Sequence, residues 1–285
     1  MRVNTNVAAL QAQESAQFVN GNLNSSLEKL SSGLRINKAS DDASGLAIAD
    51  KLRTQASSIN QAVDNSNSAV AMMQIADKAM GEQSNILDII KQKLIQASTA
   101  TTSSEGREAI RKDITKLADQ FDNIAQQTNY NGIYLLQAGQ SATGGAAEQS
   151  FQIGGEAGTT ISIAAGVQSN STGEGYETLS EIIALDVDGL SAAGSRGYMA
   201  GIDTALNKLN SQRAEFGSSQ IQLESATRNL MTQETNIKAA ESVIRDVDYA
   251  AESASFSQQN IISQAGTYAA SQANTVQQNV LRLLQ

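Results

Sequence analysis

"LNSQRAEFGSSQIQLESATRNLMTQETNIKAAESVI" (residues 209–244) places Leu209, Phe216, Leu223, Leu230, Ile237 and Ile244 seven residues apart, without a miss. A seven-residue apolar repeat is the signature of helices that pack along helices. The neighbouring seam holds Ala205, Ser219, Ala226, Ala240 and Val247, most of them small. Large residues on one seam and small ones beside them let helix axes approach closely. The pattern starts near Tyr198 and predicts a helix roughly 80 Å long at 1.5 Å per residue.

A partner of equal length lies far upstream. Leu52, Ala56, Ile59, Val63, Ser66, Val70 and Met73 alternate by four and three, and Ile86, Ile90, Leu94 and Ala97 continue the face. This predicts one helix over about 45–100, with Met72 and Met73 in its core seam. "STATTSSEG" (98–106) is loop material, and Ile110, Ile114, Leu117, Phe121 and Ile124 then mark a further helix. It ends at "TNYNG", where Asn131-Gly132 is a strong turn signal. Two long helices of matched length are expected to lie side by side.

The chain ends are apolar on one side. Leu23, Leu27, Leu30 and Leu34 are spaced 4-3-4, and Val3, Val7 and Leu10 precede them. Val276, Val280, Leu283 and Leu284 form a stripe that runs to the last residues. Residues 253–281 carry no charged side chain. Such a stretch is too polar for a membrane and too apolar on one side for a solvated tail, so it is expected to be a helix packed on copies of itself. In a homopolymer a charge there would meet its own kind at every subunit. "NKASDDASG" (37–45) is a turn, with Ser40 or Asp41 as the expected cap of the following helix.

The centre differs. Residues 138–175 are rich in Gly, Ser and Thr. Within "FQIGGEAGTTISI", Phe151 and Ile153, then Ile161 and Ile163, alternate about a glycine-rich turn, which predicts a β-hairpin. "YETLSEIIALDVDGLS" (176–191) fits a short helix followed by a strand. The fold class is therefore mainly α: a long helical coiled-coil rod with a small β-hairpin region in the centre.

Composition narrows the function. Charged residues make up 17% and aromatics 4%, which suits thin helical layers better than a deep core. There is no Pro, where average usage would give roughly 14, so nothing interrupts long helices. Without X-Pro bonds there is also no slow isomerisation step, which would suit a protein that folds after threading through a pore. There is no Cys and no His, which removes disulfides, thiol nucleophiles, Ser-His-Asp triads and zinc-protease motifs. No cofactor is expected. A net charge of −9 argues against nucleic acid, and no run reaches the roughly 18 apolar residues of a membrane span. No apolar signal core opens the sequence, so no cleaved leader is expected. "DVDG" fails the later positions of a calcium loop, where Ser191 and Gly197 stand. "GGEAG" lacks the ending of a phosphate loop, and "SDDASG" is explained by helix capping rather than acid–base chemistry. The protein is not expected to be an enzyme.

"MRVNTNVAALQAQ", "SLEKLSSGLRINKASDDASGLAIADKLR" and, near the end, "AAESVIRDVDYAAESASFSQQNIISQAGTYAASQAN" closely resemble the conserved ends of bacterial flagellins. The likeness is strong over 1–137 and 198–285. It implies a terminal coiled coil, D0, from 1–40 and 248–285, whose assembly contacts would be Val3, Val7, Leu10, Leu23, Leu27, Leu30, Leu34, Val276, Val280, Leu283 and Leu284. Val3, Val7 and Leu10 would pack on Val276, Val280 and Leu283 of the same chain, and both stripes then on neighbouring subunits. It implies a helical rod, D1, from 41–137 and 191–247, with a core of Leu52, Ile59, Val63, Val70, Ile110, Ile114, Leu117, Phe121, Leu209, Phe216, Leu223, Leu230, Ile237 and Ile244. Residues 138–190 would be its short variable part.

The function so implied is a secreted subunit of the flagellar filament for swimming motility, exported by the type III apparatus. The implied partners are copies of itself, the cap and hook-junction proteins and an export chaperone. The alternatives are a hook–filament junction protein, or a filament subunit with an added adhesive role. Two departures stand out. Pro is absent from "TVQQNVL", so the last helix is expected to run unbroken. The stretch "LDIIKQKLIQ" (87–96) aligns with the L-x-R-x-R-E-L-x-V-Q motif of flagellins that activate the vertebrate receptor TLR5. Ile89, Lys91 and Gln92 stand where that motif has Arg, Arg and Glu, and Ile221-Gln222 stands where many flagellins have Asn-Arg. Lys lacks the planar fork of Arg, so TLR5 recognition is expected to be weak. The Ser and Thr residues between 141 and 172 are candidate sugar sites.

Overall fold

The computed structural model describes residues 6–137, 149–155, 158–163, 168–185 and 190–283; the side chains of Ile163, Gln277 and 280–283 are likewise left aside. Among the described residues, six helices and four short strands follow one another: α1 (Val7–Ser32), α2 (Ala43–Ala97), α3 (Ser104–Gln127), β1 (Asn129–Tyr130), β2 (Ile133–Tyr134), β3 (Gln149–Gln152), β4 (Thr160–Ile163), α4 (Glu177–Ile183), α5 (Ala192–Arg245) and α6 (Tyr249–Leu283). The fold is mainly α, as the heptads require. The contacts divide it into two units, 1–57 with 234–285, and 58–233.

In the second unit, α2 and α5 run antiparallel. Arg213 Nε donates to Asp77 Oδ1 at 2.9 Å, and further along Lys91 pairs with Asp203. α3 returns along α2, with Lys93 bonded to Asp113 at 2.9 Å. Ser103 caps α3 by accepting from the Gly106 amide. Ile59, Val63, Ile110, Ile114, Phe121, Leu209, Phe216, Leu223 and Leu230 are buried, as are Met72 and Met73. Val70 and Leu117 are half-buried against the same core. Leu52, Ile237 and Ile244 are half-buried in the other unit.

The β-hairpin is present, with Phe151 opposite Ile161 and Gln149 opposite Ile163. Asn131-Gly132 closes a second, two-residue hairpin between β1 and β2. Residues 186–189, on which the calcium-loop question and the expected strand turn, lie outside the described residues.

The segment 168–176 departs from its composition. Rich in Ser and Gly, it is nevertheless buried between helices. Gln83 of α2 donates Nε2 to the Ser169 carbonyl at 2.7 Å and to the Phe121 carbonyl at 3.1 Å, and accepts from Ser169 Oγ at 2.7 Å. Asp122 accepts from the Ser171 amide and hydroxyl at 2.6 and 2.5 Å. The Tyr176 ring packs on Phe121, its hydroxyl donates to Gln212 Oε1 at 2.9 Å, and burial pushes the phenol up. Ser169 and Ser171 are therefore struck from the candidate sugar sites, because burial closes them to a transferase. Gln212 and Gln233 are the members of the small seam that the heptad reading skipped; Gln212 is buried, with its amide oxygen satisfied by Tyr176, and Gln233 is exposed.

Candidate assembly surface

The terminal unit is built on α1 packed along α6. On α1 the shielded positions are Ala9, Ala12, Ala16, Val19, Leu23, Ser26 and Leu30, spaced by three and four. On α6 they are Glu252, Ser255, Phe256, Gln259, Ser263, Gly266, Ala270 and Ala273. Both seams consist mainly of small side chains, which let the two backbones approach. Asn6 ties the far end: its Oδ1 caps α1 by accepting from the Ala9 amide at 3.1 Å, and its Nδ2 donates to the Ala273 carbonyl at 3.1 Å. Ser263 Oγ donates to Asn20 Oδ1 midway.

This arrangement corrects one expectation. Val7, Leu10 and Val276, expected to bury one another, are 58%, 55% and 53% exposed, so any contact between them leaves more than half of each uncovered. Small residues took the inner seam, because larger ones would hold the axes apart. The large apolar groups stay exposed: Val7, Leu10 and Phe18 on α1, with Leu10 at the rim of the groove beside Thr267 and Ala270, and Ile261, Tyr268 and Val276 on α6. Phe18 was missed, although it lies eleven residues from Val7 and so returns to the same helical face. Of the expected leucines, Leu23, Leu30 and Leu34 are half-buried and Leu27 is exposed. Val3 and Leu284 lie outside the described residues, as do the side chains of Val280 and Leu283.

Two connectors meet at the base of this pair. α1 ends at Gly33, whose φ of 74° is the left-handed cap conformation that glycine adopts without strain. The connector beyond it pairs with the turn between α5 and α6. The Arg35 amide donates to the Arg245 carbonyl at 2.6 Å, the Val247 amide to Gly33 at 3.0 Å, and Leu34 bridges Asp246. Arg35 Nη2 adds a bond to the Ile244 carbonyl at 2.6 Å. The cap of α2 is Asp42 rather than Ser40 or Asp41. Asp42 Oδ1 accepts from the Gly45 amide at 2.9 Å, while Asp41 closes the preceding turn by accepting from the Asn37 and Lys38 amides. Those amide bonds hold both carboxyls below the usual aspartate range. Glu28 draws the Lys38 ammonium upward.

The receptor-motif positions are spread out. Ile89, Gln92 and Gln222 are exposed, and Lys91 is held by Asp203. With Arg213 opposite Asp77, the antiparallel register puts Gln222 about 36 Å along the helices from Gln92 at 1.5 Å per residue. Gln222 and Gln92 therefore do not form one patch.

Residues 3–141 match the family described as the bacterial flagellin N-terminal helical region, and residues 199–284 its C-terminal helical region. The chain belongs to the flagellin family. It is 36% identical to the flagellin of Bacillus subtilis (strain 168) over 305 aligned positions, spanning all of both chains. It is 32% identical to flagellin FlaB2 of Treponema pallidum (strain Nichols), again over both whole chains. The crystal structure of Bacillus cereus flagellin superposes with a TM-score of 0.50 at 26% identity, covering 62% of this chain and 94% of that one. Flagellins are structural proteins that self-polymerise into the bacterial flagellar filament, and this flagellin is such a filament subunit. The matches give no support to the hook-junction alternative. Among the described residues, no helix is long and apolar enough to cross a membrane.

Proposed function

We propose that this flagellin builds the filament through the outer faces of its terminal helix pair and does no catalysis. The observation that carries this reading is the exposed row Val7, Leu10, Phe18, Ile261, Tyr268 and Val276, beside a stretch of α6 without charge. Burying one such side chain in a neighbour contributes about 1.5–3 kcal/mol. A lone helix pair with its large residues outside is marginal, because ordering its backbone costs about 1–2 kcal/mol per residue. Neighbours in a polymer supply the missing burial. Residues 1–40 with 248–285 thus act as D0, and 41–137 with 191–247 as D1, with 138–190 as the variable part.

The subunit is secreted through the flagellar export apparatus. It meets an export chaperone on the way, and the hook-junction and cap proteins at the two ends of the growing filament. Its binding to TLR5 is weak, since Ile89 offers no hydrogen bond and Lys91 is already engaged. The test is seeded polymerisation of Val7→Asp and Ile261→Asp, read by electron microscopy. A charge placed on these faces would be buried unpaired, at several kcal/mol. Filament growth is expected to stop while the helical content of the second unit stays intact. Filaments of normal length from both variants would defeat the interface assignment.

A further inference from the structure

The sequence holds two Asn-Gly pairs, Asn20-Gly21 and Asn131-Gly132, in opposite backbone states. We infer that Asn131 is a site of spontaneous deamidation on the folded subunit, and that Asn20 is protected in the same molecule.

The chemistry needs no enzyme. The Gly132 amide nitrogen, deprotonated by hydroxide, attacks the amide carbon of the Asn131 side group. A new bond forms between that carbon and the Gly132 nitrogen. The bond from the same carbon to Asn131 Nδ2 breaks, and ammonia leaves with a proton from water. Water then opens the cyclic imide at one carbonyl or the other, giving aspartate or isoaspartate. The net change is one water consumed and one ammonia released. Two conditions govern the rate: a free nitrogen at the following residue, and a backbone that can rotate about ψ of the asparagine.

Asn131 meets both. The register of β1 and β2 leaves Asn131 and Gly132 alone in the turn, with φ of 49° and 80°, the signs of a type I′ turn. In that turn the closing hydrogen bonds belong to the flanking residues, Tyr130 and Ile133, and the third residue's amide is unused. Asn131 and Gly132 are exposed, and a Cβ built on Gly132 would meet nothing within 4 Å, so water reaches the tip. The ladder is two pairs long, which places its opening at the low end of local unfolding. Tyr130 and Ile133 pack against the core on either side of the tip, so they anchor the strands and leave Asn131 and Gly132 outside the packed part.

Asn20 meets neither. It lies inside α1, where the Gly21 amide bonds the carbonyl four residues back and ψ is fixed by the helix. Its Oδ1 also accepts from Ser263. Exposure does not separate the two sites, since all four residues are exposed. The backbone does. The product puts an anion on a neutral turn, and isoaspartate lengthens the backbone by one atom, which a two-residue turn cannot absorb. An old subunit would carry this mark on β1–β2.

The test incubates assembled filaments at mildly alkaline pH, beside the protein in concentrated urea. Peptide mass spectrometry follows both sites, with Asn131→Asp as the standard for the aspartate product. In urea both asparagines are expected to convert at similar rates. In filaments Asn131 is expected to stay within about tenfold of its urea rate, as a readily opened hairpin allows, while Asn20 falls far behind. Gly132→Ala, which crowds the attacking nitrogen, is expected to slow Asn131 in urea as well. An Asn131 as inert as Asn20 in filaments, with both reactive in urea, would overturn the inference.

Discussion

Gln83→Leu puts the polar core of the second unit to the test. Gln83 is fully buried, and its amide makes three hydrogen bonds, two of them to Ser169 and one to the Phe121 carbonyl. Leucine keeps much of the volume and removes all three. The Phe121 carbonyl retains its helical partner, but the Ser169 hydroxyl and carbonyl lose these partners in a site without solvent. Each buried group left unpaired costs about 1–3 kcal/mol, so the substitution is expected to cost about 2–6 kcal/mol, less what the added apolar contact returns. For a unit of 150–250 residues that is a fall in Tm of roughly 4–24 °C. Thermal unfolding followed by circular dichroism reads it. Ser169→Ala removes the hydroxyl, so the double variant is expected to be less damaged than the sum of the singles, by about 0.5–3 kcal/mol of coupling. A Tm within about 2 °C of wild type for Gln83→Leu, or strict additivity, would show that 168–176 is a passive covering and not a locked element.

Asn6→Ala removes both the cap of α1 and the tie to α6, and is expected to cost about 0.5–2 kcal/mol, seen as faster amide exchange in the first turn of α1 in filaments. Asp41 and Asp42 have folded pKa values below their unfolded ones, so what they contribute is present above the unfolded value near 3.8 and is lost as pH falls through the folded values. Amide exchange across 33–45 is expected to rise in acid, and Asp42→Asn is expected to blunt that rise; an unchanged acid response would mean other carboxylates govern it. Gly33→Ala places a Cβ at a left-handed φ and 2.9 Å from the Tyr249 hydroxyl, so the joint between the connectors is expected to loosen, with lower protection of Arg35 and Val247. Purified monomer is expected to evoke a weak TLR5 reporter response, and a half-maximal dose equal to that of an activating flagellin would show the departures at Ile89, Lys91 and Gln92 to be without effect.

The periodic parts of the fold were legible because helix pairing writes itself at fixed intervals. Leu209, Phe216, Leu223 and Leu230, and Ile110, Ile114 and Phe121, are buried where a heptad puts them, with Leu117 half-buried beside them. The orientation of the terminal pair is hard to read from sequence for the opposite reason. A seam of Ala, Ser and Gly carries little hydrophobic contrast, so Val7, Leu10 and Val276 stand out in the sequence although Ala9, Ala16 and Ala270 are the shielded positions. The buried stretch 168–176 was illegible in principle from composition. Its Ser and Gly residues look like solvent-facing loop until Gln83, Asp122 and Gln212, from three different helices, are brought to them. Gln212 and Gln233 both interrupt the small seam, and only Gln212 is buried, so the interruption alone did not mark the place of a polar partner.

The most direct measurement is a filament reconstruction by electron cryomicroscopy, at a resolution that shows side chains. The account predicts that Val7, Leu10 and Phe18 of one subunit, and Ile261, Tyr268 and Val276, lie against neighbouring subunits, with the Ala9–Ala270 seam kept inside each subunit. Those six side chains facing solvent in the assembled filament, or an α1 that leaves α6 of its own subunit to pair with another, would contradict it.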